Sequence, residues 1–278
     1  MSRMAVLTYH SQNILGNDYA SNDHVALRSD LAELRRRGIR IVSLNHLVDA
    51  LISGDAAAFP AGTVALSCDD GTVLDWFDYH HPEWGWQPGF DRLLRDHMDD
   101  AGTVTEVITA FLIASPQARA DIDAGCYGGA ALSTSSWWAE AAASGRFYLG
   151  NHSWDHAHAC LRELAHTPAL RGNFNMVTDA VSADQQLRQA GDFIAAELGT
   201  NVLRPRLFAY PYGHATDYLV HEYLPKRRAE HGIDAAFTTE PAYVTPTANR
   251  FRLPRFVCGD AWRSSEEFGN ILDSLLLI

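Results

Sequence analysis

The sequence is poor in cysteine, with four residues at positions 68, 126, 160 and 258 and no CxxC pair. This scatter argues against a zinc ribbon and against a disulfide framework, so we expect mostly reduced, partly buried thiols. Basic residues are also few: 22 Lys and Arg stand against 34 Asp and Glu, which gives a net charge of −12. An acidic chain without a basic patch argues against a nucleic-acid or anionic-membrane partner.

Long hydrophobic runs are missing as well. No apolar segment is long enough to span a bilayer, and the start "MSRMAVLTYH" lacks the apolar region and cleavage site of a signal peptide. We therefore expect a cytoplasmic protein without a membrane span. Hydrophobic residues still make up 47% of the 278 residues, enough for a large core. No Pro/Gly/Ser-rich linker or repeat divides the chain, which predicts one domain over residues 1–278.

Short β-branched runs alternate with longer helical patterns along the chain. A helix is predicted from about Asp23 to Arg37, ending at Gly38, and another from Thr178 to Leu198. This alternation predicts an α/β fold of repeated βα units around parallel strands. The predicted strands are "AVLTY", "IRIVS", "TVALS", "VITAFLI", "RFYLG", "RLFAY", "AAFTT" and "RLPRFVC".

Residues 73–102 form an aromatic and polar stretch that reads as an insertion. Long connections in compact domains are usually lids or binding loops, so we expect a functional loop with a short helix. Its aromatic side chains fit either stacking against a sugar or a small satellite core, and the sequence does not decide between them. They are Trp76, Tyr79, Trp84 and Trp86.

Two adjacent carboxylates end the predicted strand "TVALS". Asp69 and Asp70 in "SCDDGT" precede a glycine, so the segment alone is compatible with an ordinary Asp-Gly turn or a helix cap. The carboxyl ends of parallel strands carry the chemistry in α/β proteins, however, and this pair lies at such an end.

A second polar stretch, "GNHSWDH", follows the strand "RFYLG". His152 and His156 are four residues apart, which brings two imidazoles to one side of a helical turn. Two imidazoles and one carboxylate make a three-ligand site with room for water, the arrangement of catalytic zinc. The alternative is a pair of solvated surface histidines in a chain that has 13.

A third stretch, "FAYPYG" at Phe208 to Gly213, again ends a strand, although an ordinary aromatic turn would explain it equally well. Taken together and in this order, the three stretches resemble the blocks of the polysaccharide deacetylase family, also called the NodB-homology or carbohydrate esterase family 4 fold. "SCDDG" is similar to its TFDDG block, "NHSWDH" to H-[ST]-x-x-H, "AYPYG" to RxPY-G and "ITAFLIAS" to the "ATFF" strand. The resemblance implies a single distorted (β/α) barrel, here with an aromatic-rich insertion after the first acidic motif.

The same resemblance implies roles for residues of this chain. Asp70, His152 and His156 would hold one divalent ion, usually zinc in the family, and Asp69 would be the general base. The backbone N–H of Tyr212 would help hold the tetrahedral oxyanion. The expected reaction is metal-dependent hydrolysis of N-acetyl groups on a sugar, polysaccharide or glycan precursor. A hydrolase of a non-sugar amide, or a non-catalytic carbohydrate-binding relic, stays open.

Three elements of the family pattern are missing. Ala209 stands where the family's third block has an arginine, and neither a DxxDW block nor a late histidine block is present, His231 being the last histidine. The late run "RFRLPRF" offers three arginines, of which Arg255 is favoured to reach Asp69 and keep it ionised. The alternative is a surface cation. The three are Arg250, Arg252 and Arg255.

His10 is the candidate for the missing acid. It ends the first strand, at the barrel mouth where Asp69 and His152 are expected, and an imidazole titrates near neutral pH. A histidine there could instead bond a loop or position Asp69, and His80 or His81 could supply the acid if the insertion folds over the site.

Overall fold

Seven parallel strands form the main sheet in the computed structural model, which describes residues 2–98, 108–199 and 202–277. The strands are β1 Ala5–Tyr9, β2 Val64–Cys68, β3 Tyr79–His81, β4 Gly85–Gln87, β5 Ile108–Leu112, β6 Phe147–Asn151, β7 Leu207–Ala209, β8 Ala235–Phe237 and β9 Phe256–Val257. The order in the main sheet is β8-β7-β6-β5-β2-β1-β9, and β3 and β4 form a separate antiparallel hairpin. This confirms the predicted α/β class.

Helices connect the strands and cover the outside of the sheet. The first has the predicted bounds and ends at Gly38, which caps it in the left-handed conformation. The predicted helix Thr178 to Leu198 begins at Ala180, because the Asp179 side chain caps it, and a π-helical segment at Asp184–Arg188 joins its two halves. The helices are α1 Asp23–Arg37, α2 Leu44–Ser53, α3 Phe90–Met98, α4 Pro116–Cys126, α5 Trp138–Ala143, α6 Ala180–Ala183, α7 Gln189–Leu198, α8 Leu224–Lys226, α9 Arg228–His231 and α10 Ser265–Leu276.

One predicted strand is wrong. In "IRIVS", residues 39–43, only Ile41 pairs with the sheet, through a single parallel bridge to Val64. The chain turns into α2 directly afterwards because the Ser43 hydroxyl accepts a hydrogen bond from the His46 N–H and caps that helix.

Strand alternation decides which side chains face the barrel interior. On β2, Val64, Leu66 and Cys68 pack in the cluster that includes α1 and α10, whereas Ala65 packs in the inner cluster with Phe111, Ala209 and Phe237. Because successive side chains point to opposite faces, Ser67 and then Asp69 continue the inner row. Cys68 is fully buried, in keeping with the expectation of buried thiols.

The late segment 253–257 joins the two edges of the curled sheet. Leu253 pairs with Phe237 of β8, and Phe256–Val257 pairs with β1. Pro254 separates the two pairings, and Arg255 lies between them with a fully buried side chain. The chain thus carries a cation into the barrel interior.

The insertion after the acidic pair is a hairpin and a helix rather than an open loop. Trp76 belongs to the main core, with its ring 5.6 Å from that of Phe147. Tyr79 and Trp84 are partly buried against a small hydrophobic cluster. Trp76, Tyr79 and Trp84 therefore all serve packing. Trp86 is 61% exposed and is the one left facing solvent among the four named above. Residues 99–102 of the predicted insertion lie outside the described residues.

Among the described residues, no helix has the length and apolar character needed to cross a membrane.

Candidate metal and catalytic site

The polar residues predicted at strand ends meet at one mouth of the barrel. The turn after β2 needs its glycine: Gly71 has φ +67°, and a Cβ there would lie 2.5 Å from Leu112 Cδ2 on the neighbouring strand. Asp70 before it also has a positive φ, of 74°. The Asp-Asp-Gly stretch therefore serves a tight turn and also aims two carboxylates at the mouth.

Three potential ligand atoms converge there. The ligand atoms of Asp70, His152 and His156 all lie within 4.8 Å of one another. Asp70 Oδ1 is 3.6 Å from Nε2 of each imidazole. Ligand atoms bound at about 2.1 Å to one tetrahedral ion would lie about 3.4 Å apart, so the spacing fits a divalent metal ion.

The two imidazoles are held in states that suit a metal. His152 Nδ1 donates to the Ala209 carbonyl at 2.8 Å, which leaves the lone pair on Nε2, the atom nearest Asp70. Burial, together with the neighbouring His152, lowers the pKa of His156 to about 3. His156 is therefore neutral at neutral pH, as metal ligation requires.

Asp69 and Arg255 form a buried bidentate ion pair. Arg255 Nη1 donates to Oδ1 at 2.8 Å and Nη2 to Oδ2 at 2.7 Å, while Nε donates to the Thr238 carbonyl at 2.9 Å. Burial alone would raise the pKa of Asp69, but the charges of Arg255 and His152 outweigh burial and hold that pKa well below its usual range. Asp69 Oδ2 also lies 3.8 Å from His152 Nε2, so an ionised carboxylate borders the ligand set.

The turn after β1 brings two further side chains to the mouth. The backbone N–H of His10 donates to Asp23 Oδ2 at 2.7 Å, and within the described chain its buried Nδ1 has no hydrogen-bond partner. Burial raises the pKa of Asp23 to about 6, against the opposing effect of the His10 charge. Gln12 Nε2 donates to Asp70 Oδ2, a contact that sequence reasoning missed because nothing marks a glutamine in a loop as functional.

Tyr212 lies beside the ligand set. Its ring centroid is 4.5 Å from that of His156, and its side chain is 39% exposed at the mouth. Its backbone adopts a positive φ of 58°. Four non-glycine residues around the site share this uncommon conformation, which clusters at functional sites and has no signal in the sequence. They are Asp70, Ser153, His156 and Tyr212.

Other predicted candidates lie elsewhere. His81 Nδ1 accepts the N–H groups of Glu83 and Trp84, so it closes the hairpin turn. In the part of the chain that is described, no hydrogen bond or ion pair links His80 or His81 to Asp69. Of the alternative arginines, Arg252 Nε lies 3.8 Å from a Glu240 carboxylate oxygen, and Arg250 lies over the Phe251 ring.

Asp75 is a buried carboxyl group that the sequence did not reveal. It is fully buried, its Oδ1 accepts a hydrogen bond from Ser11 Oγ at 2.6 Å, and within the described residues its Oδ2 has no partner. Burial raises the pKa of Asp75 to about 8. The group is therefore protonated in the folded protein at pH values where an unfolded aspartate is ionised.

This raised pKa predicts how stability depends on pH. Between about pH 4, the ordinary aspartate pKa, and about pH 8, the folded state holds a proton that the unfolded state has lost, so the free energy of unfolding falls as pH rises. The Asp75→Asn side chain cannot ionise, so the variant should lack the Asp75 part of this slope. Between pH 5 and pH 8 it should lose less free energy of unfolding than wild type does, by on the order of a few kcal/mol. Urea unfolding of metal-free protein at both pH values measures it. The exposed Asp18→Asn is the control, and equal slopes in wild type and Asp75→Asn would contradict the assignment.

Comparisons with known proteins bear on the whole arrangement. The polysaccharide deacetylase family model matches residues 105–234, which include His152, His156 and Tyr212. The predicted resemblance to that family is confirmed. Asp69, Asp70, His10 and Arg255 lie outside the matched residues, and the fold brings them next to His152 and His156. A comparison with curated protein sequences gives no match.

Solved deacetylase structures share the fold over nearly the full chain. A deacetylase, PplD, from Streptococcus pyogenes in complex with acetate has a TM-score of 0.64 and 15% identity, covering 99% of each chain. A de-N-acetylase from Aggregatibacter actinomycetemcomitans has a TM-score of 0.63 and 15% sequence identity, and the match covers 96% of this chain and 99% of that one. IcaB from Ammonifex degensii has a TM-score of 0.61 and 17% sequence identity, and the match covers 100% of this chain and 98% of that one. The predicted distorted (β/α) barrel of the NodB type is thereby confirmed.

Proposed function

We propose that this chain, with its polysaccharide deacetylase match and barrel, is a metal-dependent hydrolase that removes N-acetyl groups from a sugar, polysaccharide or glycan precursor. The observation that carries the proposal is the convergence of Asp70, His152 and His156 beside the ion-paired Asp69. A carbohydrate-binding relic would have no need of a buried, ionised carboxylate at the edge of a complete ligand set.

The three ligands would hold one divalent ion, for which we propose zinc. Two imidazoles and a carboxylate leave coordination positions open, as catalytic zinc sites do. Such an ion would supply a water of lowered pKa and would polarise the acyl carbonyl of the substrate. The fixed His152 tautomer and the neutral His156 prepare the ligands before binding.

Asp69 is the proposed general base. Its carboxylate borders the ligand set and can accept the proton of the attacking water, while Arg255 fixes both of its oxygens. The backbone N–H of Tyr212 is proposed to donate to the oxyanion of the tetrahedral intermediate.

His10 is the proposed acid for the leaving amine. It lies at the β1 end of the same mouth, and its charge interacts with Asp69, Asp70 and Asp23. The bond from its backbone N–H to Asp23 holds the His10 main chain in place, and among the described residues the Nδ1 of its ring has no hydrogen-bond partner.

Arg255 is a positioning residue, so a conservative change should affect turnover and not metal binding. Arg255→Lys keeps a cation but loses the bidentate contact, and we expect kcat to fall by about 10- to 100-fold because the base is misplaced. Arg255→Gln should also move the acid limb of the pH–rate profile to higher pH, since the neutral side chain no longer holds the pKa of Asp69 down. The control is Arg252→Gln. An acid limb that stays in place in Arg255→Gln would reject this role.

His10→Gln should remove the alkaline limb of the pH–rate profile. A general acid must be protonated to act, and its loss typically costs about 10²- to 10⁴-fold in rate. The profile is measured alongside that of His80→Gln, which should resemble wild type. An unchanged limb in His10→Gln, with a lost limb in His80→Gln, would transfer the role to the insertion.

Acetate release tests the proposed function. We would screen acetylated monosaccharides, chito-oligomers and nucleotide sugars, with simple aryl amides as the non-sugar class, before and after adding zinc. The proposal expects zinc-dependent acetate release from at least one carbohydrate. Release from the aryl amides alone would favour the non-sugar hydrolase, and no release in the presence of bound zinc would favour the relic.

A further inference from the structure

A second cluster of chemically reactive side chains lies next to the proposed metal site. Cys126 and Cys160 have their Sγ atoms 2.9 Å apart, although they lie 34 positions apart along the chain. Cys126 is the last residue of α4, and Cys160 follows His156 by four positions. Cys126 is exposed and Cys160 is partly exposed, so small reagents can reach the pair.

The backbone around the two thiols is already fixed for their contact. A Cβ at Gly125 would lie 3.0 Å from both Cβ and Sγ of Cys160, so the glycine lets the two segments approach closely. Asp121 of α4 accepts the Arg162 N–H at 3.0 Å and pairs with Arg162 Nε at 2.7 Å. Leu161, which lies between Cys160 and Arg162 in the sequence, is buried against α4.

A metal site is the competing use of this cluster, because His158 completes a Cys-His-Cys group. Two thiolates at about 2.3 Å from a tetrahedral ion would lie about 3.7 Å apart, and two sulfurs joined in a disulfide about 2.05 Å apart. The observed 2.9 Å lies between these two distances, so the ring of His158 decides between the two uses. His158 Nδ1 also accepts the Cys160 N–H at 3.1 Å, which places the proton of the neutral ring on Nε2 and leaves no free lone pair. Because His158 then offers no free lone pair, the cluster lacks a third metal ligand, and the contact of the two thiols is better explained by a sulfur–sulfur bond.

We propose that Cys126 and Cys160 form a disulfide that ties the loop carrying His156 to α4. The reaction is exchange with a low-molecular-weight disulfide such as oxidised glutathione. One protein thiolate attacks it and releases one glutathione thiol, and the second protein thiolate then displaces the other. Two protein thiols are oxidised, one small disulfide is reduced, and the two thiol protons end on the two released glutathiones.

The bond would stabilise a strained part of the chain. His156 and Ala157 both have positive φ, at 63° and 45°, just before Cys160. A cross-link closing the loop from residue 126 to 160 restricts the unfolded chain and holds this conformation in place. The effect does not depend on a bound metal or on catalysis.

The experiment uses the full-length, chelator-treated protein with oxidised glutathione at mildly alkaline pH, where thiolates are more abundant. We expect a mass lower by two hydrogens, one cross-linked peptide containing Cys126 and Cys160, and a rise in Tm of about 5–10 °C that a reductant reverses. Amide hydrogen exchange over residues 152–162 should slow in the same sample.

Matched variants complete the test. Cys126→Ser and Cys160→Ser should each abolish the cross-link and the Tm rise, while Cys258→Ser should retain both. Glutathione adducts on single cysteines without a cross-linked product would overturn the proposal. So would zinc binding that requires both cysteines and protects them from exchange, which would establish a metal site instead.

Discussion

Asp69→Asn should lower kcat by about 10³-fold while leaving the metal content unchanged. The amide has nearly the shape of the carboxylate but cannot accept the proton of the attacking water, and general-base catalysis is worth about 10²- to 10⁴-fold. Asp69 is not among the three proposed ligands, so the ion should stay bound. Single-turnover acetate release and metal analysis on the same sample measure both quantities.

This variant also leaves the buried Arg255 without its carboxylate, which costs stability. Circular dichroism and a thermal scan must therefore accompany the kinetics, so that unfolding is not mistaken for a catalytic defect. A folded Asp69→Asn protein with kcat within about tenfold of wild type would contradict the assignment of the base. Loss of the metal would instead place Asp69 in the ligand set.

His152→Ala should release the metal. With two protein ligands left, affinity should fall by on the order of 10³-fold or more, and acetate release should fall with it. A zinc titration against a competing chelator measures the change. The exposed His166→Ala is the matched control and should bind one ion as wild type does. Full metal occupancy in His152→Ala would rule out this ligand set.

Local sequence patterns were sufficient to place the residues that lie at strand ends. Asp69 and Asp70 follow an apolar run and precede a glycine, and His152 and His156 follow another run, so strand polarity alone places them at one mouth. The strand "IRIVS" was wrong because its composition favours a strand, whereas the Ser43 cap ends the extended backbone after one pairing.

Contacts between distant segments were less accessible from the sequence. The predicted contact of Arg255 with Asp69 depends on residues 253–257 pairing with both β8 and β1, a register that no local pattern fixes. Gln12 at Asp70 and the pair of Cys126 with Cys160 had no signal at all, because each joins segments far apart in sequence. The tertiary fold alone determines these neighbours.

We propose that one ion held by Asp70, His152 and His156 is needed for deacetylation. Its most direct test is a zinc titration of metal-free protein, with acetate release from the best carbohydrate of the screen as the readout. We expect no acetate release without metal and a linear rise in the release rate that ends at one equivalent of zinc. Release that is undiminished in the metal-free protein would contradict it.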